Sequence, residues 1–212
     1  MQTKSSLAIT LSRLALFSKH DVQLEQYPTP SELASSILWE FHMAEDGFKD
    51  KKVLDLGSGT GILGIGALLL GAKEVIFVDK DPDALTVLHK NLELIRAHIQ
   101  DAEVRVVEGD VASLNPIFVD VCLTNPPFGT KLRHIDRDFL LYALKCSPIV
   151  LSFHKANTVD YLKEWISKEG AKCFLLGTFP FRIKATLSFH QKPSKDIDVA
   201  VLLTRRIKRP LF

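Results

Sequence analysis

The chain has 212 residues, of which 46% are hydrophobic and 25% are charged, and its formal net charge is only +2. This composition is ordinary for a globular domain with a substantial core, and it excludes a disordered chain. Because the net charge is small, a nucleic-acid partner would have to meet a local basic patch. The apolar run at residues 62–70 is too short to span a bilayer, so no membrane association is expected.

The three cysteines, Cys122, Cys146 and Cys173, are scattered, and each lies in an apolar stretch. Free cysteines in such surroundings are mostly buried thiols, and no CxxC pattern is present. The sequence therefore predicts neither a disulfide framework nor a zinc site, and the histidines have no metal-ligand spacing. A reducing compartment, the cytoplasm, fits this cysteine usage.

The N-terminal segment has the pattern of an amphipathic helix. Leu7, Leu11 and Leu14 fall at positions i, i+4 and i+7, and the predicted helix ends near Ser18. A single lysine, an interrupted apolar run and the lack of a small-residue cleavage site argue against a signal peptide.

A second helix is predicted to run from Thr29 to about Met43. Thr29 would be its N-cap, Pro30 its first residue and Glu32 the third residue of a capping box. We expect residues 1–45 to form a helical extension that packs on the main domain, residues 46–212, within one structural domain.

From residue 52 onward, short strands alternate with helices. The predicted strands are residues 53–56, 74–78, 104–107, 118–123, 148–153, 171–179 and 197–204. The predicted helices between them are residues 61–70, 82–97, 137–146 and 158–168. No helix separates the last two strands, so they should pair antiparallel. The alternation predicts an α/β fold with a mostly parallel sheet, in which ligands bind at the carboxyl ends of the strands.

The sequence DLGSGTG at residues 55–61 joins the first predicted strand to its helix. Glycines at alternate positions leave room for a ligand to contact the backbone. Gly59, Gly61 and Gly64, with Asp79 twenty residues after Gly59, match the pattern of dinucleotide-binding loops, which is a weak signal alone. Asp55 lies next to the loop and would repel a phosphate, and the loop contains no Lys or Arg, which also argues against a Walker-type site.

A ligand that carries positive charge and no phosphate suits this loop better, and S-adenosylmethionine meets both demands. Asp55 would face its charged methionine end, and Asp79 would accept hydrogen bonds from both ribose hydroxyls. Asp110, after the third strand, could accept a hydrogen bond from the adenine amine. Asp81 and Asp83 are interpreted as residues of a helix start instead.

The sequence Asn125-Pro126-Pro127-Phe128 follows the fourth predicted strand, an apolar run that reads as buried. Because proline has no N–H, this step cannot continue a sheet ladder, and the Pro126 carbonyl stays free to accept a hydrogen bond. Together with the side-chain carbonyl of Asn125 and an aromatic face on Phe128, it suits a planar ring with an exocyclic amine. The alternative interpretation is a proline-rich turn with a buried phenylalanine.

Taken together, the DLGSGTG loop, Asp79, Asp110 and the NPPF turn resemble the class I S-adenosylmethionine-dependent methyltransferases that modify exocyclic amines. The sequence EQYPT at residues 25–29, the short length and FGT at residues 128–130 are similar to the methyltransferase-like-five family of small-subunit rRNA adenine-N(6) methyltransferases, in particular to an archaeal member. The resemblance covers nearly the whole chain. It implies a Rossmann-like sheet of seven mostly parallel strands whose last strand is antiparallel.

The resemblance also implies an activity and a site. The expected reaction is methyl transfer to the 6-amino group of an adenosine in small-subunit rRNA. Asn125, Pro126, Pro127 and Phe128 would hold the adenine. The cofactor contacts that the resemblance implies are Gln26, Thr29, Gly57, Thr60, Ile62, Asp79, Asp110 and Val111. Asp55, Gly59 and Asn125 complete the predicted cofactor site.

Several basic or aromatic residues near the predicted pocket are candidates for RNA contacts, although any one of them could simply be a solvated surface residue. The candidates are Tyr27, Lys131, Arg133, Lys184, His190 and Lys192. In the resembling family a small zinc-ribbon activator adds a strand beside the third strand. The alternating residues Val104, Arg105, Val106 and Val107 are therefore a candidate edge strand for such a partner.

Other functions remain open at this point. Another amine methyltransferase could act on DNA adenine, on rRNA guanine or on the glutamine side chain of release factors. More distant alternatives are an NAD-binding oxidoreductase, which gives the NPPF turn no role, and a non-catalytic RNA-binding protein.

Overall fold

The computed structural model describes residues 3–16, 28–44, 47–127, 135–184 and 194–207. The helices of this part are α1 (Lys4–Ser12), α2 (Ser31–Met43), α3 (Ile62–Leu69), α4 (Pro82–Ile95), α5 (Ile135–Cys146) and α6 (Val159–Lys168). The strands are β1 (Lys52–Leu56), β2 (Glu74–Asp79), β3 (Glu103–Glu108), β4 (Val121–Thr124), β5 (Ile149–Lys155), β6 (Ala171–Lys184) and β7 (Ser194–Arg206).

The strands form one seven-stranded sheet in the order β3-β2-β1-β4-β5-β7-β6. Strands β1 to β5 are parallel, and β7 lies antiparallel between β5 and β6. The predicted fold class and the antiparallel last pair are confirmed. The order reverses between β1 and β4, because the chain first moves outward through β2 and β3 and then returns to the other side of β1. In sheets of this kind, ligands bind at the carboxyl ends of the strands at such a reversal.

Apolar side chains cover both faces of the sheet. On one face, Val53 and Val75 belong to a buried cluster that includes Leu11 of α1, Leu38 of α2 and Ile65 of α3. On the other face, strand residues such as Leu54 and Val150 pack under α5 and α6. Burying both faces explains why the strands read as nearly continuous apolar runs.

The N-terminal helices differ from the prediction in their boundaries. Leu7, Leu11 and Leu14 are buried as expected, but α1 ends at Ser12, not near residue 18, which lies outside the described residues. Helix α2 begins at Ser31 with Pro30 at the N-cap position, so the predicted cap by Thr29 is wrong. The division between an extension and a main domain at residue 45 stays a prediction, since residues 45 and 46 also lie outside the described part.

The fourth strand is shorter than predicted. It begins at Val121, whereas Phe118 is 49% exposed in the preceding connection. The chain enters the sheet only where the backbone N–H of Asp120 reaches the carbonyl of Lys52, at 2.9 Å. Strands β6 and β7 extend further than predicted, because their antiparallel pairing continues to Lys184 and Ser194.

Within the described residues, no helix is long and apolar enough to cross a membrane, and no cluster of three metal-ligating side chains occurs. The three thiols are free; Cys122 and Cys146 are buried as predicted, but Cys173 is only half-buried.

Candidate active site

The site lies where β1 and β4 end side by side. Leu56 and Thr124 are register partners, and the Thr124 hydroxyl donates a hydrogen bond to the Leu56 carbonyl at 2.8 Å. The loop after β1 and the Asn-Pro-Pro turn after β4 therefore begin next to each other. This contact joins the two predicted halves of the site at the reversal of strand order.

The glycine loop has a backbone that other residues adopt rarely. Gly57, Gly59 and Gly61 have φ angles of 70°, 54° and 90°. The N–H groups of Gly57 and Ser58 both bond to the Val78 carbonyl, at 2.8 and 2.9 Å, which ties the loop to the end of β2. The lack of a side chain at Gly57 and Gly61 makes room for Phe139 and Leu88, because a Cβ at either position would clash with these side chains.

Asp55 lies beneath the loop, not within it. It is 1% exposed, and its Oδ2 accepts a hydrogen bond from the N–H of Gly64 at 2.8 Å. Burial raises the pKa of Asp55 to about 8, the Gly64 N–H opposes this shift, and the charge of Asp79 adds to it. A Cβ at Gly64 would lie 2.9 Å from Oδ2, so glycine is needed there. In the structure, Asp55 holds the start of α3 from below.

Asp79 ends β2 and connects directly to the loop. Its Oδ2 accepts from the Gly59 N–H at 2.6 Å, and its Oδ1 accepts from the Asp81 N–H at 3.0 Å. Burial raises the pKa of Asp79, while these N–H donors oppose the shift. Because a carboxylate offers about four acceptor positions, Asp79 retains capacity for two hydroxyls of a ligand. The Asp81 side chain accepts from the Asp83 N–H, which confirms the interpretation of Asp81 as a helix cap.

Asp110 follows β3 at the same edge of the sheet. Its Oδ2 lies 3.5 Å from Lys80 Nζ, and its Oδ1 accepts from the Ala112 N–H at 3.0 Å. The Lys80 and Asp110 side chains are 44% and 47% exposed, so this ion pair contributes little and can yield to a ligand. Val111, beside Asp110, is half-buried, as a wall of an adenine pocket would be.

Asn125 begins the turn after β4 and is joined to the N-terminal part of the chain. Its Nδ2 donates a hydrogen bond to Thr29 Oγ1 at 3.0 Å. Its Oδ1 is buried, and no described residue donates a hydrogen bond to it. Pro126 is buried and Pro127 is half-buried. An acceptor that is buried and lacks a donor at a strand end is suited to a ligand N–H.

Asn91 is a residue of the site that sequence reasoning missed. It is 1% exposed on α4, its Nδ2 donates to the carbonyls of Thr60 and Ala15 at 2.9 and 3.0 Å, and its Oδ1 accepts from the Ala15 N–H at 2.7 Å. The sequence did contain a signal for it, because Asn91 is a polar residue on the otherwise apolar face of α4. Asn91 thereby links the N-terminal segment to the cofactor loop.

The structure brings together Thr29, Asp55, Asp79, Asn125 and the loop 57–62, in which Thr60 and Ile62 are buried. Other predicted site residues lie outside the described part, namely Gln26, Tyr27, Phe128, Lys131, Arg133, His190 and Lys192. Lys184 ends β6, but its side chain is also outside the described part.

This sheet and these strand ends define a class I methyltransferase, whose cofactor is S-adenosyl-L-methionine. The residues present fit that group: Asp79 ends β2 and Asp110 follows β3, where a ribose and an adenine would lie, and the loop after β1 presents backbone and no basic side chain. The buried Asn125 oxygen is an acceptor at the end of the neighbouring strand β4.

Comparisons with known proteins agree with this class. A family model described as "Conserved hypothetical protein 95" matches residues 27–150. The rRNA N(6)-adenosine-methyltransferase METTL5 of Danio rerio is 34% identical over 188 residues, which cover 86% of this chain and 89% of that protein. The uncharacterized protein MJ0284 of Methanocaldococcus jannaschii is 30% identical, over 98% of this chain and 96% of its own.

Among solved structures, PH1948 from Pyrococcus horikoshii superimposes with a TM-score of 0.83 at 37% identity, over 98% of both chains. The chain belongs to the METTL5 family of rRNA N(6)-adenosine-methyltransferases, and the resemblance predicted from its motifs is confirmed.

Proposed function

We propose that this protein transfers the methyl group of S-adenosylmethionine to the 6-amino group of an adenosine in small-subunit ribosomal RNA, in the cytoplasm. The observation that carries the proposal is the Asn125 side chain, whose Oδ1 is buried and receives no hydrogen bond from any described residue, while its Nδ2 is already bonded to Thr29. An exocyclic amine supplies the missing donor. The amine-modifying class follows from this acceptor, and RNA follows from the family.

The proposed mechanism uses two acceptors of the turn. The amine nitrogen of adenine is a poor nucleophile, because its lone pair is delocalised into the ring. When Asn125 Oδ1 and the Pro126 carbonyl accept its two N–H groups, the nitrogen is drawn toward a tetrahedral geometry that localises the lone pair. The cofactor supplies a methyl group activated by a positively charged sulfur. After methylation the nitrogen carries a positive charge and loses one of its protons to water, so no strong general base is required, and positioning contributes much of the rate.

The cofactor site extends from the loop after β1 to the residues after β3. We assign cofactor contacts to Gln26, Thr29, Gly57, Gly59, Thr60, Ile62, Asp79, Asp110, Val111 and Asn125. Asp55, also predicted there, is buried against Gly64. Its contribution is therefore assigned to the shape of the site beneath the loop and not to a direct contact.

The substrate must place its adenine outside a helix or flip it out, because the amine is not accessible in a paired base. Phe128 is proposed to stack on the flipped base, and the RNA backbone is proposed to meet Tyr27, Lys131, Arg133, Lys184, His190 and Lys192. Asn125 lies at the carboxyl end of β4, and Lys131 and Arg133 follow it closely in the sequence, which supports that arrangement.

A small zinc-ribbon activator is proposed to pair with β3. This strand lies at an edge of the sheet and, among the strands that the structure describes, pairs with β2 alone. Its residues Glu103, Arg105 and Glu108 are exposed, and Val104 and Val106 are half-buried. An exposed edge of this kind is suited to strand addition. Co-expression with the activator should yield a complex that survives size-exclusion chromatography.

The proposal is tested by incubating the protein with S-adenosylmethionine labelled in its methyl group and with one acceptor at a time. The acceptors are small-subunit rRNA, large-subunit rRNA, DNA and release factor, each with and without the activator, followed by digestion to nucleosides or peptides. Label in 6-methyladenosine from the small-subunit RNA is the expected result. Label in a modified guanine, in DNA or in glutamine would contradict the proposal and would instead identify the protein as the corresponding amine methyltransferase.

A further inference from the structure

The hydrogen bond between Thr29 and Asn125 connects residues that are 96 positions apart in the chain. Thr29 precedes α2 and is 5% exposed, and Asn125 follows β4. Since Pro30 occupies the N-cap position of α2, the Thr29 hydroxyl is not used to cap that helix. The described partner of this buried hydroxyl is the amide nitrogen of Asn125, at 3.0 Å.

The two ends of a carboxamide have nearly the same shape but opposite hydrogen-bonding character. An adenine amine presents N–H donors, so the oxygen of Asn125 must face it. A carboxamide turned by 180° would place its own NH₂ group against these donors, and the base would be repelled. Because a hydroxyl can both donate and accept, the contact with Thr29 fixes where the amide lies, and the N–H donors of the substrate select its oxygen end.

We infer that Thr29 is a positioning residue for methyl transfer: its hydroxyl is hydrogen-bonded to the Asn125 amide at 3.0 Å and holds that side chain where Oδ1 can accept the target amine. This inference rests on the proposed function of Asn125. It assigns to the segment before α2 a role in the chemical step, in addition to the cofactor contact predicted from the sequence.

The two roles of Thr29 predict different kinetics. A residue that only contacts the cofactor changes cofactor affinity when it is replaced. A residue that orients Asn125 changes kcat, because a misplacement of about 1 Å or a turned acceptor can lower a rate by about 100-fold without affecting the bound cofactor.

The test compares Thr29→Val, which keeps the shape and removes the acceptor, with Thr29→Ser, which keeps the hydroxyl. We expect Thr29→Val to lower kcat for RNA by about 10- to 100-fold, and Thr29→Ser to restore most of it. Because Thr29 is also assigned a cofactor contact, affinity for S-adenosylhomocysteine, measured by calorimetric titration, is expected to fall less than kcat, which is measured at saturating cofactor. Thermal unfolding of each variant shows whether it is folded.

A second test measures the Asn125 side chain directly by NMR and does not require catalysis. In ¹⁵N-labelled protein, the side-chain NH₂ signals of Asn125, assigned by their loss in Asn125→Ala, should shift and exchange faster in Thr29→Val but remain in Thr29→Ser. Unchanged NH₂ signals, or a cofactor affinity that falls as much as kcat, would overturn the inference. If the wild-type protein methylates no RNA adenine although the NH₂ signals respond as expected, the proposed function fails and the orienting contact stands.

Discussion

Asn91 Nδ2 donates a hydrogen bond to the carbonyl oxygen of Thr60 at 2.9 Å, although the two residues belong to α4 and to the cofactor loop. The same amide also holds both backbone groups of Ala15. One buried side chain thus fixes the loop before α3 and the stretch after α1 relative to each other. Cofactor binding should depend on this contact even though Asn91 is not a cofactor ligand.

Replacing Asn91 by Ala is expected to weaken both folding and cofactor binding. The Thr60 carbonyl would lose its donor in a buried position, whereas the exposed Ala15 can turn to water, so the free energy of unfolding should fall by about 1–3 kcal/mol. The dissociation constant for S-adenosylhomocysteine should rise by about 10-fold, which corresponds to about 1.4 kcal/mol. Urea denaturation and calorimetric titration measure the two effects. The exposed Asn115→Ala is the matched control, and a normal cofactor affinity in Asn91→Ala would contradict the link.

Replacing Asn125 by Ala should separate binding from chemistry. It removes the acceptor proposed for the target amine, and the loss of one preorganised hydrogen bond in a reacting site typically lowers kcat by about 100- to 1,000-fold. The cofactor loop is held by Val78, Asp79 and Asn91, so the loss in cofactor affinity should be much smaller than the loss in kcat, although Asn125 is also assigned a cofactor contact. Single-turnover methylation and cofactor titration are the measurements. Equal losses of both would mean that Asn125 has a structural role.

Replacing Asp79 by Ala should lower cofactor affinity more than kcat, which is the reverse of the effect expected for Asn125→Ala. The variant loses the acceptor of the Gly59 N–H and the two positions proposed for ribose hydroxyls. Hydrogen bonds to charged groups contribute about 1.5–3 kcal/mol each, so cofactor affinity should fall by at least about 10-fold. At saturating cofactor, kcat should recover in large part. Asp83→Ala, at an exposed position in the first turn of α4, is the control, and similar effects of the two variants would rule out a specific role for Asp79.

The buried carboxyl of Asp55 predicts a pH dependence of stability. Its pKa is raised by burial to about 8 from 3.8. Between about pH 4 and 8 the folded state therefore binds more protons than the unfolded state, and the free energy of unfolding should fall as pH rises, by at most about 1.4 kcal/mol per pH unit. Below this window both states are protonated, and above it the loss is complete.

Asp55→Asn keeps an oxygen for the Gly64 N–H and cannot titrate, so it should lack this contribution. The difference in unfolding free energy between wild type and variant, measured by urea denaturation at several pH values, should decline from pH 5 to pH 8. The other groups, including Asp79, whose pKa is also raised, largely cancel in this difference. A difference that is constant with pH would show that Asp55 is ionised in the folded protein.

The sequence alone determined the order of elements, the two helix-covered faces, the glycine loop, the acids after β2 and β3 and the turn after β4. These features depend on local chemistry: strands buried on both faces read as apolar runs, glycine permits positive φ, and proline ends a ladder. The amino end of β4 and the first residue of α2 were predicted wrongly because pairing of Asp120 with Lys52 and the placement of Pro30, not the apolar pattern, set those boundaries.

Only the tertiary structure decided how distant residues meet. The sequence offered Thr29 as a helix cap and Asn91 as one polar residue of α4, but packing of α2 and α4 around the strand ends turns the first toward Asn125 and the second toward Thr60. Burial of Asp55 beneath Gly64 likewise follows from how α3 packs on β1. Periodicity reports which face of an element is apolar, whereas such contacts depend on where separate elements come together in space.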